Sequence, residues 1–230
     1  TLIAIAYSGF HLWLAGIGLM SQEGARHLSL MGTMALIFLV YPYRGKSLRH
    51  WSLAVDLALV ALAFTVHIYL EMAWEHQMAR YGIPNLLDKV MGVITVILLF
   101  EATRRVIGWP LVITVGCFIT YGMFGNLIPG HWGHRGYDTE DMIAGLFLST
   151  EGIYGPATGV VVEFVVPFIL FGAFLHKTGA GQFFIDLARV LTGRMRGGSA
   201  KTAVVASAFM GSIVGSSTSN VVTTGSTTLP

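Results

Sequence analysis

The chain has 230 residues, a formal net charge of +2, and 11% charged residues against 54% hydrophobic ones. Soluble domains contain about a quarter charged residues, so this composition excludes a water-soluble globular protein and indicates one embedded in a lipid bilayer. The single cysteine, Cys117, excludes an intrachain disulfide.

Six apolar segments are candidates to cross a membrane, which takes about 20 residues of α-helix. They cover residues 2–20, 27–42, 51–71, 90–107, 109–128 and 158–176. Pro110 separates the fourth segment from the fifth, because the residue before a proline is disfavoured in a helix. The predicted fold class is therefore all-α, a polytopic helical membrane protein.

Two further segments are predicted to form helices that do not span. In residues 139–151, Thr139 is expected to cap a short helix whose first turn holds Glu140 and Asp141. Its apolar part is too short to cross. In residues 181–196, five apolar residues recur at spacings of three and four, which predicts an interfacial helix: Phe183, Phe184, Leu187, Val190 and Leu191.

Basic residues orient the chain. If residues 43–50 are cytoplasmic and residues 139–151 do not cross, ten of the 14 Lys and Arg residues lie on the cytoplasmic side. The other four are Arg26, Arg80, Lys89 and Arg135. This asymmetry follows the positive-inside rule and places the N-terminal side in the cytoplasm.

The last thirty residues contain a glycine- and hydroxyl-rich run, here called the serine-rich segment (residues 215–226). Lys201 is expected at the cytoplasmic face, and the apolar run 202–214 that follows it rises roughly 21 Å as a helix, less than a hydrocarbon core of about 30 Å. Backbone without helical partners is tolerated at membrane depth only where protein or a polar cavity surrounds it. The sequence therefore predicts a re-entrant hairpin, with Gly211 and Gly215 allowing close helix approach. The alternative is a full span that continues beyond Asn220.

Such a turn offers oxygen ligands to a hard cation without an extra buried charge, as in broken-helix transporters. The predicted sodium ligands are Gly215, Ser216, Ser217, Thr218, Asn220, Thr223 and Gly225. The predicted solute contacts are Ser219, Asn220, Ser226 and Glu163. Which atoms bind the ion and which bind the solute stays open, and polar packing between helices is the alternative role.

Glu163 is an intramembrane carboxylate and so a functional candidate by default. Three roles are open to it: pairing with a residue outside this chain, contact with solute, or a place near the outer boundary with access to water. Asp56 is expected to pair with Arg49 or with water. Glu101 and Arg105, four residues apart, are expected to form a structural ion pair. His131 and His134 alone are a weak metal signal.

Several stretches are similar to a known family. The runs FGAFLHKTGAGQFFID (171–186), RGGSAK (196–201) and GSSTSNVVTTGS (215–226) resemble the large membrane subunit of tripartite ATP-independent periplasmic (TRAP) transporters. The runs EATRRVIGW (101–109) and HRG (134–136) resemble the junction of permeases in which small and large subunits are fused. Such permeases usually work with a periplasmic binding protein of the TAXI class.

The resemblance implies a secondary transporter of the bacterial inner membrane rather than an enzyme. It would use Na⁺ as coupling ion, need no organic cofactor, and take a small carboxylate-bearing solute from the binding protein by an elevator movement. Residues 1–107 would form a small-subunit-like scaffold of four spans. Residues 108–230 would form the first half of an inverted repeat, with the second repeat beyond Pro230. Its partners would be the bilayer, the solute and the binding protein, and no nucleic acid.

Two alternatives stay open at the level of sequence. A one-component sodium–carboxylate symporter would have similar hairpins and no binding protein. A non-transporting membrane scaffold would carry a straight helix through the serine-rich segment. If the tripartite interpretation holds, the charges of Arg80, Lys89 and Arg135 in the outer loops are expected to help dock the binding protein.

Overall fold

The structure is a computed structural model that describes residues 2–43, 49–79 and 83–212, and five later residues singly. These five are Ser217, Asn220, Val221, Thr224 and Gly225. Throughout the described part the regular elements are helices, with no β-strand among them. The predicted all-α class is confirmed.

The first five helices are α1 (Leu2–Gly16), α2 (Gln22–Val40), α3 (Arg49–Ala79), α4 (Leu86–Val106) and α5 (Trp109–Phe124). Two of the helical segments long and apolar enough to cross a membrane lie here, Ser52–Trp74 and Trp109–Leu127, and a third is Pro156–Leu175. They coincide with the predicted spans 51–71, 109–128 and 158–176. One boundary differs: α3 continues to Ala79, beyond the end of the predicted span 51–71.

Local chemistry explains where several helices begin. Ser21 caps α2 by accepting a hydrogen bond from the backbone N–H of Gly24. Asn85 and Asp88 form a reciprocal capping box at the start of α4. Gly108 has a positive φ of 101°, which glycine adopts without steric cost, and α5 starts immediately after it with Pro110 in its first turn.

The chain divides into two compact units, the first formed by Thr1–Tyr7 and Leu19–Gly159. One of its cores joins α2, α3 and α4 through buried apolar residues: Met34, Phe38, Ala63, Leu98 and Ala102. This division of the chain rests on contacts within the structure. The predicted border between residues 107 and 108 instead separates a part like the small subunit from a part like the large subunit, and it stays a prediction.

A short helical segment packs against α4 in this first unit. It consists of α6 (Thr139–Ile143) and a π-helical turn, Ala144–Leu148. Its ten residues rise about 15 Å, half of a hydrocarbon core, as expected for a segment that does not span. The capping residue is Asp138, whose carboxylate accepts from the N–H of Thr139, so the predicted cap at Thr139 was wrong by one residue.

The second unit contains Ser8–Gly18 and Val160–Pro230. The long helix entering it comprises α7 (Pro156–Val160), a π-helical turn (Val161–Val165) and α8 (Val166–Lys177). It is followed by α9 (Ala180–Thr192) and α10 (Gly198–Gly211), which pack on each other. Their shared core is Ile185, Ala188 and Ala206.

The apolar pattern of α9 has two faces with different roles. The face packed on α10 is made of Gly181, Ile185, Ala188 and Thr192. Most of the predicted stripe lies on another face, where Phe183, Val190 and Leu191 are 63%, 79% and 52% exposed. An exposed apolar face is compatible with an interfacial helix, and that placement stays a prediction.

Candidate functional site

The side chain of Asn220 lies beside α10. Its amide nitrogen donates to the backbone oxygen of Ser207 at 3.1 Å and approaches the Ser207 hydroxyl at 3.4 Å. The two residues are 13 positions apart, which in one continuous helix would separate them by roughly 20 Å. Ser207 and Asn220 therefore do not lie on one continuous straight helix. The re-entrant hairpin stays a prediction.

A glycine permits this close approach. A Cβ atom built at Gly211 would lie 3.2 Å from the amide nitrogen of Asn220, tighter than ordinary van der Waals contact. The prediction that small residues on α10 allow a close neighbour is confirmed for Gly211. Gly215, the second residue of that predicted pair, lies outside the described residues.

The two polar atoms of the Asn220 amide differ in their hydrogen bonding. A backbone carbonyl oxygen only accepts, so the contact with Ser207 fixes the NH₂ group toward α10. The opposite atom, Oδ1, is buried and accepts no hydrogen bond from any residue that the structure describes. A buried acceptor left in this way is costly unless a ligand or water occupies it.

The described residues after Ser212 have helical geometry. Ser217, Asn220, Val221, Thr224 and Gly225 are each helical. The hydroxyl of Thr224 donates to the Asn220 carbonyl oxygen at 2.7 Å, the usual back-bond of a helical threonine. Ser217 is exposed and Gly225 is half-buried.

Six predicted site residues lie outside the part of the chain that the structure describes: Gly215, Ser216, Thr218, Ser219, Thr223 and Ser226. The structure thus describes Ser217, Asn220 and Gly225 of the predicted sodium ligands, and brings Asn220 against α10. The assignment of individual residues to ion and solute stays a prediction.

Glu163 lies in the π-helical turn between α7 and α8, inside the candidate span Pro156–Leu175. Its side chain is exposed, and no ion pair joins it to another described residue. Single π-helical turns inside α-helices are frequent at functional sites. The backbone therefore adds a second reason to consider Glu163 a functional residue, and its role stays a prediction.

A buried ionic network joins α3 and α4. Arg105 donates to Glu101 at 2.7 Å, as the spacing of four predicted, and to Asp56, also at 2.7 Å. Arg105 and Asp56 have side chains only 3% and 5% exposed. Arg105 is a partner of Asp56 that the sequence did not predict; the expected partner Arg49 has a side chain outside the described part of the structure.

Sequence reasoning missed a second polar cluster in the first unit. His27 is buried, with Nδ1 3.2 Å from the Glu71 carboxylate and its ring against Trp74 and Tyr154. Arg26 donates to the carbonyl oxygen of Tyr154 at 3.2 Å. Burial raises the pKa of Tyr154. One signal was available: His27 and Glu71 stand at adjoining ends of two consecutive predicted spans, and therefore at similar depth.

The weak metal signal at His131 and His134 gains no third ligand. Nδ1 of His134 accepts from the backbone N–H of Gly136 at 3.1 Å. Among the described residues, no three His, Cys, Asp or Glu side chains come together as a metal site.

Comparison with known proteins gives one match. A family model described as "Tripartite ATP-independent periplasmic transporter, DctM component" matches residues 94–230, which is more than half of the chain. The match includes α5 to α10 and the serine-rich segment. No curated protein and no solved structure matches the chain. The chain belongs to the family of the DctM component, the large membrane component of tripartite ATP-independent periplasmic transporters.

Proposed function

We propose that this chain is part of a sodium-coupled secondary transporter that takes up a small, carboxylate-bearing solute. The family makes it a permease of a tripartite transporter, which works with a periplasmic binding protein. The observation that supports ion coupling is the amide of Asn220. It is held against α10 on one side and offers a buried, unsatisfied oxygen, within the described structure, on the other.

The chemistry of the segment suits sodium. Sodium is a hard cation that binds oxygen, and neutral amide, hydroxyl and backbone oxygens bind it without the cost of another buried charge. Asn220 supplies the amide oxygen. The predicted neighbours in the serine-rich segment supply hydroxyls and backbone carbonyls. The bond of Asn220 to Ser207, on a helix α10 only 14 residues long, supports a re-entrant hairpin, because that helix rises about 21 Å and a bilayer core is about 30 Å thick.

The remaining parts of the proposal concern movement, partner and orientation. The hairpin would move with its solute in an elevator manner against a scaffold formed by residues 1–107. The binding protein would be of the TAXI class. The N-terminal side would be cytoplasmic, as the distribution of Lys and Arg favours.

The test uses the full-length permease in proteoliposomes with its binding protein and an inward sodium gradient. Asn220→Ala removes the proposed ligand. The sodium concentration for half-maximal uptake is expected to rise roughly tenfold, the effect of losing one buried polar interaction. Ser212→Ala is the matched control, because its hydroxyl donates to the Phe209 carbonyl oxygen at 2.7 Å and Ser212 is not among the predicted ligands. Its sodium dependence is expected to match that of the parent protein.

Two outcomes would count against the proposal. Unchanged sodium dependence in Asn220→Ala, with normal protein abundance, would remove Asn220 from the ion site. Uptake by the parent protein without any added binding protein would favour the one-component symporter.

A further inference from the structure

The loop that joins α5 to α6, called here the α5–α6 loop (residues 125–138), has a fixed backbone. The N–H groups of His134 and Tyr137 donate to the carbonyl oxygens of Gly125 and Gly122 at 3.2 and 2.9 Å. The hydroxyl of Tyr121, on α5, donates to the carbonyl oxygen of Trp132 at 2.6 Å. The loop is therefore bonded at both its stem and its tip.

Packing reinforces these hydrogen bonds. The His134 ring stands edge-on to Tyr121, with centroids 4.9 Å apart. It fills the space beside Gly125, where an added Cβ would lie 2.1 Å from its Nε2. Gly136 has a positive φ of 73° and leaves room for the carbonyl of Met123. The sequence thus uses glycines to hold a compact loop.

This rigid loop presents an unburied tryptophan. The Trp132 side chain is 78% exposed, among the most exposed large hydrophobic residues of the described chain. When a partner binds a large aromatic side chain whose backbone is already held by hydrogen bonds, little conformational entropy is lost. Tryptophan is also the residue type most enriched among those that dominate binding energy at protein interfaces.

Charges of both signs surround the loop. Arg135 pairs with Asp141 at 3.4 Å, with side chains 80% and 54% exposed. Lys89 pairs with Glu140. An aromatic centre with a polar, solvent-accessible rim is the usual anatomy of a protein interface. A surface that attracts anionic lipid would instead show positive charges without acidic partners.

We propose that the α5–α6 loop is the docking surface for the periplasmic binding protein, with Trp132 as its central contact. The proposal rests on the orientation given under the proposed function, which puts residues 129–157 on the periplasmic side. Lys89 and Arg135 each face a carboxylate and contribute little net positive charge, so the aromatic contact rather than positive charge carries the docking. Arg80 lies outside the described residues.

The experiment measures binding of the soluble periplasmic binding protein that partners this permease to the full-length permease in lipid nanodiscs. Trp132→Ala is expected to raise Kd at least about tenfold. Tyr121→Phe removes only the hydrogen bond to the loop carbonyl and is expected to raise Kd severalfold. The control is Trp109→Ala. Trp109 is 60% exposed and begins α5, so it stands at the opposite end of that helix. Its Kd is expected to stay within twofold of the parent value.

A Kd within twofold of the parent value for Trp132→Ala would overturn the proposal. The rival occupant is the lipid interface, and brominated lipids test it. The fluorescence of Trp132 is the part of the signal that disappears in Trp132→Phe. If brominated lipids strongly quench that part and docking is unchanged in Trp132→Ala, Trp132 is a membrane anchor and the proposal is overturned.

Uptake separates this proposal from the proposed function. In Trp132→Ala, more binding protein is expected to be needed for half-maximal uptake, while sodium dependence at saturating binding protein keeps its parent value. Loss of sodium dependence in the parent permease would instead refute ion coupling and leave the docking measurement standing.

Discussion

At the scale of single residues, spacing along the chain predicted local contacts and missed distant ones. Glu101 and Arg105 are four apart on one helix, and they form the predicted ion pair. The bond from Arg105 to Asp56 crosses 49 positions of sequence, and no periodicity indicates it. The contact between Asn220 and Ser207 was also not predicted. The sequence did single out Asn220 itself, because a polar residue after a short apolar run has few favourable environments in a membrane.

The buried pair of Asp56 and Arg105 leads to a stability prediction. Arg105→Leu leaves the Asp56 carboxylate buried without its partner, which costs about 3–5 kcal/mol in buried ion pairs. The variant is expected to unfold at a clearly lower temperature in detergent. Adding Asp56→Asn to Arg105→Leu removes the uncompensated charge and should restore part of the loss.

Arg189→Leu is the control for this measurement. Arg189 pairs with Asp186 at 3.4 Å, and both side chains are more than half exposed. Exposed pairs contribute little to stability, so its unfolding temperature should be close to that of the parent protein. Equal thermal shifts in Arg105→Leu and Arg189→Leu would contradict the buried-pair argument.

At the scale of elements, hydropathy identified the apolar centres of helices better than their ends. The predicted span 51–71 ends where Glu71 interrupts the apolar run, whereas α3 continues to Ala79. Hydropathy indicates which residues can lie in lipid, and an α-helix can continue beyond the lipid into water. The chain offers no helix breaker there until Gly82 and Pro84. In α9 the period of the pattern was correct, and a second face, which the pattern did not single out, packs on α10.

Packing of the α6 segment on α4 depends on Gly92, which has no side chain. A Cβ at Gly92 would lie 2.9 Å from Ile143 Cγ2 and 3.3 Å from Phe147. Gly92→Val is therefore expected to push the segment away from α4. The test places a single cysteine at Phe147, which is 1% exposed, in a protein whose Cys117 is replaced by serine. This cysteine should resist maleimide when Gly92 is present and react with it after Gly92→Val.

The matched control is Gly116→Val, because a Cβ at Gly116 meets nothing within 4 Å. It should leave the cysteine protected. Equal protection in all three backgrounds would show that Gly92 does not govern this packing.

At the scale of the whole molecule, composition gave the membrane class and the resemblance gave the transporter family. Both are supported by the three candidate spans and by the family match over residues 94–230. The orientation follows from the distribution of Lys and Arg relative to the membrane. The number of crossings before each basic group sets the side on which that group lies, so the placement of residues 139–151 decides the side of every later group.

Orientation can be measured with single cysteines in the full-length permease, again with Cys117 replaced by serine. His131→Cys is expected to react with a membrane-impermeant maleimide in intact cells, because its loop is periplasmic in this orientation. Ser47→Cys should react only after the inner membrane is permeabilised. The reverse pattern of labelling would invert the topology and move Trp132 to the cytoplasmic side.

The amide of Asn220 carries a thermodynamic consequence. Its nitrogen donates to Ser207 on α10, and in the proposed function its oxygen binds the cation, so that a single planar group would take part in both interactions. Cation binding and the contact with α10 would then be linked, and each would favour the other by the same factor. A hairpin that has parted from α10 would hold sodium less tightly by that factor, and release of the ion would be built into its opening.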